Sequence, residues 1–138
     1  MITKTQKEFL LPKAVCAAII AGDAILDVYE SSDHDYDLKK DRSPITKADR
    51  NAHEVIKRHL LDTRIPILSE EGREMVYQER MAWDLFWLVD PLDGTVEFIK
   101  GNNEFTVNIA LMADRVCACA VVYVPYLQKV YVASREIG

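Results

Sequence analysis

Six consecutive residues, Asp90-Pro91-Leu92-Asp93-Gly94-Thr95, carry two carboxylates and a glycine-threonine turn, and a second acidic stretch, Ser69-Glu70-Glu71-Gly72, lies upstream. Carboxylates crowded into one small space repel, and one of a pair stays protonated unless a cation lets both ionise. Oxygen-only donors suit magnesium, calcium or manganese rather than zinc. Gly94 permits close backbone approach, and the residues from Thr95 to Lys100 can begin a short helix whose free N–H groups face the same spot, an arrangement that favours an anion. Hard cations beside an anion cradle point to chemistry on a phosphate ester.

Each piece also has a plainer reading. Asp-Gly after a proline is a common turn, and a glutamate pair is commonly a solvated loop. Thr46-x-x-Asp49 fits a helix start in which Thr46 caps and the acid favours the positive end. The conjunction weighs toward a site. Residues 65–68 and 85–89 are apolar runs of strand length, so both acidic segments leave strand ends, where layered folds with open sheets carry their ligands. Pro91 is expected to stop the second strand and to turn the chain so that Asp93 comes back toward Asp90.

In order, spacing and type, the Glu70-Glu71 loop, the Asp-Pro-x-Asp-Gly-Thr turn from Asp90 to Thr95 and Thr46-x-x-Asp49 resemble the inositol monophosphatase superfamily of magnesium-dependent, lithium-sensitive phosphatases. Glu97-Phe98-Ile99-Lys100, followed by Glu104-Phe105-Thr106-Val107-Asn108-Ile109-Ala110-Leu111, is most similar to the CysQ-type 3'(2'),5'-bisphosphate nucleotidases. The resemblance implies about two or three Mg2+ ions, with Mn2+ as a substitute, held by Glu70, Asp90, the backbone carbonyl of Leu92, and Asp93. It implies substrate contacts from Glu70, Leu92, Asp93, Gly94 and Thr95, and gives Asp49 and Thr95 the task of orienting and deprotonating the attacking water.

The implied substrate is a small phosphomonoester, adenosine 3',5'-bisphosphate, cleaved to AMP and phosphate in the setting of sulfur assimilation. An inositol phosphate or fructose bisphosphate phosphatase would use the same metal chemistry. A non-catalytic binding or assembly module, pairing through an exposed strand edge, is the alternative from a different class. Family members carry a second half with a Trp-Asp motif that supplies a further ligand and much of the pocket. Here Trp83-Asp84 precedes the acidic turn instead. Residues 1–138 are therefore expected to be one amino-terminal metal- and phosphate-binding domain, nearly inactive alone.

Of the 138 residues, 49% are hydrophobic and 28% charged, ordinary values for a globular domain with a real core. The formal net charge of -5 disfavours a nucleic-acid polymer or an anionic membrane as partner. It also means that bound cations must reverse the local field before an anionic substrate can approach. No apolar run is expected to span a membrane, and the N-terminus lacks a signal-peptide layout. The expected location is the cytoplasm, with peripheral contact at the inner face of the cell membrane and a homodimer both compatible.

Three cysteines, Cys16, Cys117 and Cys119, cannot all pair. Cys117 and Cys119 alternate along a strand-like run and are expected to share one face as small core residues. His34, His53 and His59 stand outside the acidic constellation, the last two at surface or edge positions of a helix.

These residues need a scaffold. Residues 11–30 show helical spacing of Val15, Ile19, Leu26 and Tyr29, with Pro12 in the first turn. Residues 36–40 suggest an exposed strand and residues 41–44 a turn, after which Thr46 starts a second helix with Ala48, Ala52, Val55, Ile56 and Leu60 on one side. Strands are expected over 105–112, 116–123 and 129–133. The fold class is α+β: a layered α/β sandwich with two helices packed on a largely antiparallel sheet.

Overall fold

The computed structural model describes residues 1–31, 43–69, 79 and 81–136. Helix α1 (Lys4–Ser31) is followed by α2 (Ser43–Leu60), a single 3-10 turn (Leu61–Thr63) and strand β1 (Ile67–Ser69). Then come β2 (Leu85–Asp93), a short helix α3 (Thr95–Lys100), β3 (Thr106–Ala113), β4 (Val116–Val124) and β5 (Lys129–Ser134). The strands lie in the order β1-β2-β3-β4-β5. β1 runs parallel to β2, and the remaining neighbours are antiparallel. Two helices on one face of a largely antiparallel sheet is the α+β layering that the sequence predicts.

Alternation builds the sheet. Along β3, Val107, Ile109, Leu111 and Ala113 are buried while the residues between them are half-buried, as expected where one face meets helices and the other does not. α1 packs on α2, β3 and β4, and α2 reaches β2. The middle of the buried stripe of α1 is small, with Ala14, Ala17, Ala18, Ala21 and Gly22, which lets the helix lie low on the strands. Gly22 shows how low, because a Cβ there would fall 2.3 Å from Tyr123 Cε1.

Several expectations need correction. α1 begins at Lys4 rather than residue 11, because Thr3 and Gln6 form a capping box. Gln6 N–H donates to Thr3 Oγ1 at 3.1 Å and Thr3 N–H to Gln6 Oε1 at 2.8 Å. Pro12 therefore lies inside the helix, on an exposed position where water can take the carbonyl it leaves unbonded. α2 starts at Ser43, with Pro44 in its first turn, so Thr46 is not its cap and Asp49 lies well inside it. Cys117 is exposed and Cys119 buried, because a register shift in the β3–β4 ladder sets Cys119 opposite Leu111 and Cys117 opposite Met112. The extra residue breaks the alternation.

By length and composition α1 is also apolar enough to cross a bilayer, contrary to expectation. In this fold it is a core helix, with Ala17, Ala18, Ala21 and Ile25 sealed against the other elements. The strand expected over 36–40 lies outside the described residues.

Candidate metal and phosphate site

The acidic turn sits where β2 leaves the regular ladder. From Leu85 to Asp90 each residue of β2 faces one of β3, ending with Asp90 opposite Asn108. Asp93 next faces Thr106, so three steps along β2 match two along β3. This is a β-bulge over Pro91 and Leu92, and it corrects the expectation that Pro91 stops the strand and doubles the chain back. A bulge tolerates proline because the extra residue donates nothing to the ladder. Both bulge side chains are buried, Leu92 at 2% exposure, which anchors the flanking acids.

Both acids are placed by β3, not by a turn. Asn108 is the register partner of Asp90, and its Nδ2 donates to Asp93 Oδ2 at 3.1 Å. Thr106 Oγ1 in turn donates to Asn108 Oδ1 at 3.0 Å. Asp90 is half-buried and Asp93 exposed.

β1 ends at the same edge. Ser69, its last residue, pairs with Val89, one residue before Asp90. Ser69 Oγ and His53 Nδ1 share a hydrogen bond of 3.0 Å, so His53, expected on a plain helix surface, instead ties α2 to the end of β1. Asp49 lies one helical turn before His53 on α2 and is half-buried, on the side of the helix that approaches this strand end. Glu70 and Glu71 lie outside the described residues.

The glycine turn and the short helix after it are held separately. Gly94 precedes α3 with φ of 94°, a conformation that favours glycine. A Cβ at Gly94 would also fall 2.7 Å from the Glu104 carbonyl oxygen, so the position excludes side chains twice over. Phe98 N–H closes the first turn onto the Gly94 carbonyl at 2.9 Å, and Thr95 is exposed at the start of the helix. Tyr29, Phe98 and Phe105 pack as an aromatic trio with ring centroids 4.8 to 5.5 Å apart. The Tyr29 hydroxyl accepts from Asn103 N–H at 3.1 Å and donates to Asn103 Oδ1. Burial raises the Tyr29 pKa, with the Asn103 backbone bond opposing the rise. The far end of α1 thus fixes α3 and the loop after it.

Among the described residues no three His, Cys, Asp or Glu side chains gather as a metal cluster. The donor set nevertheless fits a hard cation. Asp90 and Asp93 offer only oxygens, and the two are tied to one asparagine of β3, Asp90 as its register partner and Asp93 by a hydrogen bond. Among the described residues, the sheet face opposite the helices forms a concavity of about 430 Å³ beside them, floored by Leu68, Leu88, Ala110 and Ala120 and ending at Ser69, Asp90 and Asn108. Asn108, Thr106 and His53 were missed by sequence reasoning. The signal available was Thr106-x-Asn108, polar residues alternating on an otherwise apolar strand.

Residues 6–138 match the inositol monophosphatase family. The 3'(2'),5'-bisphosphate nucleotidase CysQ of Salmonella typhimurium is 50% identical over 117 residues, which is 83% of this chain and 47% of that protein. The enzyme of the same description from Escherichia coli K12 is 48% identical over the same shares. The chain thus spans about half the length of the curated relatives it matches. A crystal structure of CysQ from Bacteroides thetaiotaomicron superposes with a TM-score of 0.83 at 50% identity, covering 91% of this chain and 46% of that one. An inositol monophosphatase from Zymomonas mobilis gives 0.76 at 30% identity, over 94% of this chain and 49% of that one. With a family match that runs from residue 6 to residue 138, the chain belongs to the inositol monophosphatase family.

Proposed function

We propose that the chain supplies the metal and phosphate site of a magnesium-dependent phosphomonoesterase, and that its substrate is adenosine 3',5'-bisphosphate, cleaved to AMP and phosphate. The observation that carries this reading is the 50% identity to a bisphosphate nucleotidase over 83% of the chain. The placing of Asp90 opposite Asn108 and the bond from Asn108 to Asp93 support it. Glu70, Asp90, the Leu92 carbonyl and Asp93 would hold Mg2+. Magnesium held there supplies Lewis-acid polarisation of the phosphoryl group and a nucleophilic water at neutral pH.

The protein's own groups do the rest. Asp49 accepts the proton of the attacking water while the Thr95 hydroxyl orients it. Backbone N–H groups at Gly94 and Thr95 bind phosphoryl oxygens and set the group for in-line attack. Positioning and charge neutralisation suffice, because phosphoryl transfer asks little covalent work of the protein.

The test is phosphate release, with and without Mg2+, by this chain joined to the second half that its relatives carry, from adenosine 3',5'-bisphosphate, an inositol monophosphate and fructose bisphosphate. Fastest Mg2+-dependent release from the nucleotide is expected. Faster release from either sugar phosphate would reassign the substrate, and no release from any of them would overturn the reading.

A further inference from the structure

The geometry points to Asn108 as a positioning residue that aims the Asp93 carboxylate, with Thr106 fixing the orientation of the Asn108 amide. This inference rests on the metal reading of Asp93 given above. An asparagine amide has two faces of opposite character, an N–H edge that donates and an oxygen that accepts. Here each is assigned by its neighbour. Thr106 Oγ1 donates to Oδ1 at 3.0 Å, which leaves Nδ2 toward Asp93 Oδ2 at 3.1 Å. The Thr106 hydroxyl could serve either face, since it accepts as well as donates, but a flipped amide would set an oxygen against the Asp93 carboxylate, so the carboxylate gives the relay one stable sense and Thr106 holds it there.

Three features make this a device rather than an incidental contact. Thr106 and Asn108 are two apart on β3 and so project from the same face. The bulge in β2 makes Asp93 the register partner of Thr106 while its carboxylate reaches Asn108. Asn108 is also the register partner of Asp90 across the ladder, so a neutral side chain occupies the strand position that faces the first of the two acids. Bonding Oδ2 fixes the rotation of the Asp93 carboxylate and leaves its second oxygen for a cation. Neutrality matters, because an acid at position 108 would add to the repulsion and a lysine would compete with the metal.

The test is a Mg2+ titration by calorimetry on the intact protein and on Asn108→Ala, Thr106→Val, Thr106→Ser, Asp93→Asn and the double variant Asn108→Ala/Thr106→Val, with the metal-free melting temperature of each recorded. Loss of a group that orients a ligand typically weakens metal affinity ~10–100-fold, so Asn108→Ala is expected to fall about tenfold or more. Thr106→Val keeps the side-chain shape and should lose a few-fold, and Thr106→Ser keeps the hydroxyl and should bind as the parent does. If Thr106 acts through Asn108, the double variant binds no more weakly than Asn108→Ala alone.

Parent-like affinity in Asn108→Ala, or a Thr106→Val loss that persists undiminished in the Asn108→Ala background, overturns the inference while leaving the metal reading intact. Unchanged affinity in Asp93→Asn, or no binding by the parent, overturns the metal reading itself. Should Asn108→Ala fail to fold, the Thr106 pair decides alone: equal affinity in valine and serine variants is the contradicting result.

Discussion

On the helix-covered face of the sheet, Trp87, Ile109, Leu111 and Val121 are each almost fully buried, and each sits where strand alternation puts it. At the end of β2 the polar side chains of Asp93, Asn108 and Thr106 instead stand in a line of two hydrogen bonds, beside a bulge and a glycine that no alternation rule generates. The first region is specified many times over by apolar contacts. The second depends on single residues: Pro91 where the ladder needs no donor, and Asn108 where an amide must point one way. Damage to the first should therefore cost stability and spare affinity for the cation, and damage to the second should do the reverse.

Trp87→Ala tests the first half most severely. It empties the largest of the fully buried side chains and removes the Nε1 bond to Thr63 Oγ1 at 3.2 Å. A loss of ~3–5 kcal/mol is expected by urea denaturation, and whatever fraction remains folded should keep its Mg2+ affinity. Gly94→Ala lies at the boundary between the two regions. With φ of 94° and a backbone oxygen 2.7 Å from the added carbon, it should cost ~1–3 kcal/mol. If it lowers the melting temperature without weakening Mg2+ binding, the glycine turn belongs with the scaffold rather than with the site.

The smallest effect is expected at the edge of the core. Glu136 pairs with the buried Lys7 ammonium, and that hydrogen bond, with a lesser one from Ser134, holds its pKa below the ordinary glutamate value. A lowered folded pKa means that the stabilisation is complete above the unfolded value and lost as pH falls through the folded one. Glu136→Gln should thus melt slightly lower than the parent at neutral pH, and the gap should close on acidification. A gap that widens in acid would contradict the pairing.

The same contrast explains what the sequence made legible. β3 and β4 fall within a residue or two of their expected bounds because the apolar alternation is strong, and the Asp-Pro-x-Asp-Gly-Thr spacing marks the acids. The start of α1 lies seven residues before its expected bound, because the capping box of Thr3 and Gln6 precedes the apolar spacing by which the helix is recognised. Pro91 was misread as a terminator because a bulge depends on the partner strand, which local sequence does not reveal. His53 was set aside because its partner, Ser69, is remote along the chain and meets it only when α2 packs beside β1.

The most direct measurement is a Mg2+ titration of the intact protein against its Asp93→Asn variant, in which the amide oxygen can still accept from Asn108 while the charge is gone. The account predicts that Mg2+ binding weakens at least about tenfold and that the metal-free melting temperature stays where it was. Equal affinity in the two proteins would contradict it.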